Sequence, residues 1–284
     1  MYDNVVIGID GRGGGQDAVA LARVLAAPEA QLTLVHVRMH SPLRRGLDPE
    51  PGDFAPELHA GGPATTLLPE TASSVGAGLE RAAERLAADL VVVGACRHGG
   101  LTRRFGVDDS RATARAARSA VAVATPAYRR AAAPIRRIGV ACDADPSSQI
   151  AMAHGGLLAR RLGAELAALA VAEPHILTTP YGIPGVPAEH PGLEIAALRE
   201  RLEDVAGPDV EIVYGVATEQ LESFSARVDL LVCGSRRAGV LARLLGGSTS
   251  GWLIGHTHSP LLIAPRDDPA AIDAWQRERR RASA

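Results

Sequence analysis

The chain repeats itself. Asn4-Val5-Val6-Ile7-Gly8-Ile9-Asp10 returns as Arg137-Ile138-Gly139-Val140-Ala141-Cys142-Asp143, and Asp89-Leu90-Val91-Val92-Val93-Gly94 returns as Asp229-Leu230-Leu231-Val232-Cys233-Gly234. A period of about 135–140 residues is too long for a solenoid and suits a duplicated domain, so the 284 residues read as two copies of one fold. The repeated runs are apolar without polar alternation, the pattern of strands buried on both faces of a parallel sheet. Ala/Leu/Arg segments at helical spacing lie between them, at 18–25, 76–86, 150–162 and 193–202. Further strand-like runs fall at 32–37, 64–68 and 120–124 in the first copy and at 166–171, 210–214 and 260–264 in the second. The order predicts an α/β fold of two tandem doubly wound parallel-sheet domains, each with strand order 3-2-1-4-5. The boundaries are drawn at 1–127 and 134–266, with 267–284 as a charged, solvated C-terminal tail.

Composition narrows the function. Lys and Arg together number 30 against 32 Asp and Glu, for a net charge of −2, and aromatic residues make up 3% of the chain. That balance gives no electrostatic reason for a nucleic-acid partner, and few rings are on offer for stacking bases. All of the cations are arginine; the absence of lysine excludes a Walker A loop, a kinase strand lysine and a pyridoxal-phosphate Schiff base. Three scattered cysteines, Cys96, Cys142 and Cys233, fit a reducing compartment and no zinc site. No apolar run is long enough to span a membrane, and Met1-Tyr2-Asp3 leads straight into the first strand, so a cytoplasmic protein without a signal peptide is expected.

In an open parallel sheet, ligands settle beyond the carboxyl ends of the strands where the strand order reverses. The Asp after strand one and the loop after the strand-four Gly meet there. In the second copy that loop runs from Gly234 through Arg237 to Gly247-Ser248-Thr249-Ser250, a glycine for close approach and hydroxyls before a helix start, which suits phosphate.

These residues resemble the universal stress protein family and its nucleotide-binding pattern G-x2-G-x9-G-[ST]. The strand-one Asp, the strand-four Asp-Leu-Leu-Val-Cys-Gly, the Gly/Ser turn and the closing Ser-Pro-Leu-Leu-Ile-Ala keep the family's order over nearly the whole chain. The resemblance implies the Rossmann-like fold shared with adenine nucleotide alpha hydrolases, and ATP, with Mg²⁺, as the ligand. It places Asp143 and the backbone at Val171 near the adenosine, Gly234 under the ribose and phosphates, and Gly247, Ser248, Thr249 and Ser250 at the phosphates. It also implies pairing through the last strands, between the two domains or between two copies.

The second copy departs from the pattern at Arg237, which stands where the family has its second Gly; its guanidinium either blocks the backbone or grips phosphate. The first copy departs further, with Val107-Asp108 and then Asp109 where the second has Gly247-Ser248. Carboxylates there cap the next helix and repel a triphosphate, so the first site is expected not to hold ATP in the family manner.

Other features have plainer readings. Asp10 and Asp143 are equally suited to capping the loop after strand one. Gly13-Gly14-Gly15-Gln16-Asp17-Ala18 formally matches G-x-G-x-x-A and faintly resembles the turn of ATP pyrophosphatases, but a flexible turn is the expectation. Segment 42–63 reads as a mobile surface loop. His36 and His98 have no triad partners, His256 and His258 on the last helix are spaced wrongly for a metal pair, and Cys142 and Cys233 lie on neighbouring strands where they could approach, although small buried apolar duty is the default for both. With no general base, nucleophile or metal set in view, a cytosolic stress-response or signalling module is expected and not an enzyme, the alternative being a structural or interaction protein that binds no nucleotide.

Overall fold

A computed structural model of the chain describes residues 2–10, 13–39, 65–95, 119–131, 133–173, 176–178, 184–187, 191–206, 210–234 and 249–282. The first domain runs β1 (Tyr2–Ile9), α1 (Gly13–Leu25), β2 (Ala26–Met39), β3 (Thr65–Ala72), α2 (Val75–Arg85), β4 (Leu90–Gly94) and β5 (Ala120–Ala124). After a short connecting helix, α3 (Tyr128–Ala131), come β6 (Arg137–Cys142), α4 (Ser147–Leu162) and β7 (Glu165–Ala172). A separate antiparallel pair, β8 (Ile176–Thr178) and β9 (Pro184–Pro187), leads into α5 (Pro191–Ala206). The second domain finishes with β10 (Val210–Tyr214), α6 (Ala217–Ser225), β11 (Leu230–Cys233), α7 (Thr249–Leu253) and β12 (Leu261–Ile263), and the chain continues into α8 (Pro269–Ala282).

Ten of these strands make one sheet in the order β10-β7-β6-β11-β12-β5-β4-β1-β2-β3. Each half reproduces the 3-2-1-4-5 order, all parallel within itself. The halves join through β5 and β12, which pair antiparallel, Leu261 opposite Val123 and Ile263 opposite Val121. The pairing expected of the last strands is thus made within one chain, and each of the two has a neighbour on both edges. Because the junction is antiparallel, the carboxyl ends of the two sets of strands face opposite ways.

Alternation in the strands sorts the core into two layers. On β5 the alanines Ala120, Ala122 and Ala124 lie with α1 and α4, whereas Val121 and Val123 lie with the layer under α2 and α6. The repeated Asp before strand four has the same task in both halves. Asp89 accepts the backbone N–H groups of Asp3 (2.7 Å) and Asn4 (3.2 Å), and Asp229 those of Arg136 (2.8 Å) and Arg137 (2.9 Å). Both clamp the start of strand one, at the end of that half's own strands opposite to its carboxyl ends.

The glycine run expected to be a flexible turn is instead the first turn of α1, which starts at Gly13. Asp17 on that helix is buried and accepts the N–H groups of Ala127 (2.8 Å) and Arg129 (3.1 Å), so it caps the connector between the domains. The likeness to a pyrophosphatase turn therefore ends in a structural contact. Segment 42–63 lies outside the described residues.

Residues 269–282, expected to be a solvated tail, form α8 and dock on α4. Charge lines the outside of this helix, while Trp275 lies over Gly156, where a Cβ would stand 2.5 Å from the indole ring, and Glu278 pairs with Arg160 at 2.7 Å. Its N-terminal Asp268 accepts from the N–H of Ala271 (3.0 Å) and from His154 Nε2 (3.1 Å). His154 in turn meets the Tyr2 hydroxyl through Nδ1 at 2.8 Å. The carboxylate can only accept, so Nε2 carries the hydrogen and, in the neutral ring, the Tyr2 hydroxyl donates to Nδ1. Burial, followed by the charges of Asp89 and Asp268, raises the Tyr2 phenol above its ordinary range, although Arg161 draws it down, so it stays protonated.

Burial pushes the Asp268 carboxyl up, but the hydrogen bonds from His154 and Ala271 and the attraction of His154 outweigh it and hold the group below its ordinary value. A depressed carboxyl stabilises the fold above its unfolded pKa, near 4, and that stabilisation is lost as pH falls through the lower folded value. Asp89, raised chiefly by burial, acts in the opposite sense, so a local probe is needed. In a Trp252→Phe variant, whose one remaining tryptophan is Trp275, indole emission should stay constant down to about pH 4 and shift red below it as α8 loosens. An Asp268→Asn variant should show the shifted emission already at neutral pH.

Candidate functional site

In the second domain the strand order reverses between β6 and β11, since the chain moves from β6 outward to β7 and β10 before crossing back to β11. Registers place the expected residues there. Cys142 is level with Ala170, so Asp143 emerges beside Val171, and Cys233 is level with Ala141, so Gly234 emerges beside Cys142. Asp143, Val171 and Gly234 thus converge on the carboxyl ends of three adjacent strands. Thr249 and Ser250 open α7. Arg237, Gly247 and Ser248 lie outside the described residues, as do Arg97, His98, Asp108 and Asp109 of the first domain.

Asp143 is held by its own turn. Its Oδ1 accepts the Asp145 N–H (2.8 Å) and the Ser148 hydroxyl (2.9 Å), and its own N–H donates back to Ser148 Oγ (2.8 Å). Asp145 Oδ1 accepts the Ser147 N–H at 2.9 Å. Sequence reasoning missed Ser147 and Ser148; their signal was the spacing from Asp143, four and five residues on, which a strand-to-helix turn folds back over the carboxylate.

Gly234 has a packing reason of its own. A Cβ there would stand 2.6 Å from the Ser147 carbonyl oxygen and 2.8 Å from Ser147 Oγ, so the end of β11 touches the start of α4 backbone to side. In the first domain a Cβ on Gly94 would overlap the carbonyl group of Gly14, with 2.5 Å to its carbonyl carbon. The two turns therefore correspond residue by residue: Gly14 with Ser147, Gly15 with Ser148.

Burial and then the Asp143 charge push the Cys142 thiol up to about 12, and burial alone pushes Cys233 to about 12, so neither is a thiolate at neutral pH. They do not approach each other, and both are small buried side chains, as expected of cysteine by default. Cys142 is one position out of register from Cys233 and faces the layer of α4, while Cys233 faces that of α6. His36 is buried on β2 with Nδ1 3.3 Å from the Ile9 carbonyl oxygen. His256 and His258 fall after α7 and not on it: His256 stacks on Trp252 with centroids 3.8 Å apart, and the His258 N–H donates to Ser225 Oγ. Among the described residues no group of side chains is arranged to hold a metal ion, and no helix is long and apolar enough to cross a membrane.

Residues 134–265, the whole of the second α/β unit, match the model of the universal stress protein family. The match takes in the second domain, a little under half of the chain. The first half repeats its topology strand for strand. Over the full length the fold is similar to a universal stress protein from Archaeoglobus fulgidus DSM 4304, at 12% identity, with 94% of this chain and 100% of that one covered and a TM-score of 0.60. A functionally unknown protein from Pseudomonas aeruginosa PAO1 gives 16% identity, 97% and 96% coverage and a TM-score of 0.59. The cytoplasmic domain of a prokaryotic cation chloride cotransporter gives 11% identity, 95% and 99% coverage and a TM-score of 0.50. No curated protein matches the chain. Identities this low speak for the fold alone, and one fold serves several functions, so the function has to come from the site.

Proposed function

We propose that the second domain binds an adenine nucleotide at the ends of β6, β7 and β11, and that the protein is a cytoplasmic stress-response module that signals by nucleotide occupancy and not by turnover. The observation that carries this is the convergence of Asp143, Val171 and Gly234 at the point where strand order reverses, within the segment that matches the family. The described residues suit the nucleoside half: a fixed carboxylate to accept from a sugar hydroxyl or exocyclic amine, an apolar strand end for the base, and a glycine at the strand-four turn. Arg237, Gly247, Ser248, Thr249 and Ser250 supply the phosphate half, with Mg²⁺ shared among the phosphates. The first domain, with Asp108 and Asp109 in the corresponding turn, stays empty of ATP.

Calorimetric titration of ATP and Mg²⁺ into the full chain tests this. One site per chain is expected, weakened at least tenfold in Gly247→Asp, which sets a carboxylate against the phosphates next to the position that matches Asp108. No heat at millimolar nucleotide would leave the interaction-protein reading in its place. Two equivalent sites would overturn the role given to Asp108.

A further inference from the structure

We propose that Ser148 is a positioning residue which sets the Asp143 carboxylate for the nucleoside, and that the missing hydroxyl at Gly15 is what sets the first domain's strand-one turn apart. This rests on the nucleotide reading above and adds to it a residue outside the G-x2-G-x9-G-[ST] loop.

Ser148 is buried, 3% exposed, and both functions of its hydroxyl are committed to one residue. The Asp143 N–H donates to Oγ at 2.8 Å, so the hydroxyl hydrogen is directed to Asp143 Oδ1 at 2.9 Å. The Asp145 N–H reaches the same oxygen at 2.8 Å. Two donors converging on Oδ1 fix the side-chain rotamer and the plane of the carboxylate, and with them the direction of Oδ2. An exposed aspartate samples several rotamers, and ordering it on binding costs affinity; here the ordering is built into the fold. A carboxylate held in one plane also discriminates a donor at one place from a donor anywhere nearby.

The first domain supplies the contrast. Gly14 lies against Gly94 as Ser147 lies against Gly234, which puts Gly15 where Ser148 stands. Asp10 can receive no hydroxyl bond from that position. Space there is short too: a Cβ on Gly15 would come within 3.3 Å of Ile9 Cβ. The two sites therefore differ at the strand-one turn as well as at Asp108, and the two differences lie on separate segments of chain.

The test is a cycle on the full chain with two readouts. Ser148→Ala should weaken ATP binding about tenfold, the equivalent of one lost hydrogen bond to a charged group, while Ser148→Thr, which keeps the hydroxyl, stays within threefold of wild type. In an Asp143→Asn background the Ser148→Ala change should cost little more, because the serine acts through the aspartate; an undiminished effect there would mark a merely structural role and overturn the proposal. The second readout needs no nucleotide. Backbone exchange at Asp145 should speed up in Ser148→Ala and not in Ser148→Thr. If wild type takes up no ATP, the nucleotide reading fails, and this exchange still decides whether Ser148 holds Asp143: an unchanged rate overturns the positioning claim.

Discussion

Gly234→Ala is expected to lower the stability of the second domain by about 3 kcal/mol, and Gly94→Ala to cost the first domain at least as much. A methyl group at either position meets peptide backbone: the Ser147 carbonyl oxygen at 2.6 Å and carbonyl carbon at 2.8 Å in one case, the Gly14 carbonyl group in the other. A flexible side chain would swing aside. A carbonyl in the first turn of a helix cannot move without shifting the helix, and α1 and α4 are both packed into the core that runs along one face of the sheet. Gly255→Ala is the control, since nothing lies within 4 Å of a Cβ there, and it should change stability by less than about 0.5 kcal/mol. Denaturant midpoints compared at constant slope give the answer. A Gly234→Ala protein as stable as the Gly255→Ala control would mean that the strand-four glycine is kept for its ligand alone. The expected result assigns it first to the contact between β11 and α4, at the crevice where the strand order reverses.

This also shows where sequence reading succeeds. β5 and β10 were legible to the residue, 120–124 and 210–214: β5 is buried and apolar from end to end, whereas β10, an outer strand with Glu211 exposed, is marked by its β-branched and aromatic residues between Asp209 and Gly215. The strand order followed from the alternation and the duplication. The start of α1 was not legible, because three consecutive glycines read as a turn on propensity; a Cβ on Gly15 would stand 3.3 Å from Ile9 Cβ, whereas Gly14 has room for one, as Ser147 does at the matching position of α4. α8 was hidden by its composition: Arg277, Arg279, Arg280 and Arg281 make its sequence look solvated, whereas Trp275 and Glu278, one face of the helix, find their partners on α4, more than a hundred residues earlier. The Asp89 and Asp229 repeat was visible and its purpose was not, since each clamps a strand 85 or more residues away. At the site, Asp143 and Gly234 could be brought together from the fold class and Val171 was added by the family resemblance, but the serine clasp depends on how one turn folds back, which the strand pattern does not encode.

The largest effect on the joint between the domains should come from His154. His154→Ala removes the acceptor of the Tyr2 hydroxyl, which is buried at 5% exposure on β1, and strips Asp268 of its side-chain partner at the start of α8. A buried hydroxyl left without a partner and a cavity in the interface together cost about 2–4 kcal/mol. Tyr2→Phe alone should cost about 1 kcal/mol, because it deletes one partner while the imidazole keeps its bond to Asp268. The combination carries the argument. In the His154→Ala background, Tyr2→Phe takes away the orphaned hydroxyl and should restore about 1 kcal/mol, so the double variant is more stable than His154→Ala by itself. Simple additivity, with the double variant the least stable of the three, would show that the hydroxyl finds another partner and that the Tyr2–His154–Asp268 array is packing and not a hydrogen-bonded joint. Arg161, whose guanidinium reaches the Val24 and Ala26 carbonyl oxygens at the end of α1, spans the same joint 7 residues further along α4. It touches neither His154 nor Asp268 among its hydrogen bonds, so its loss should add to that of His154 and loosen the first domain from α4 at a second point.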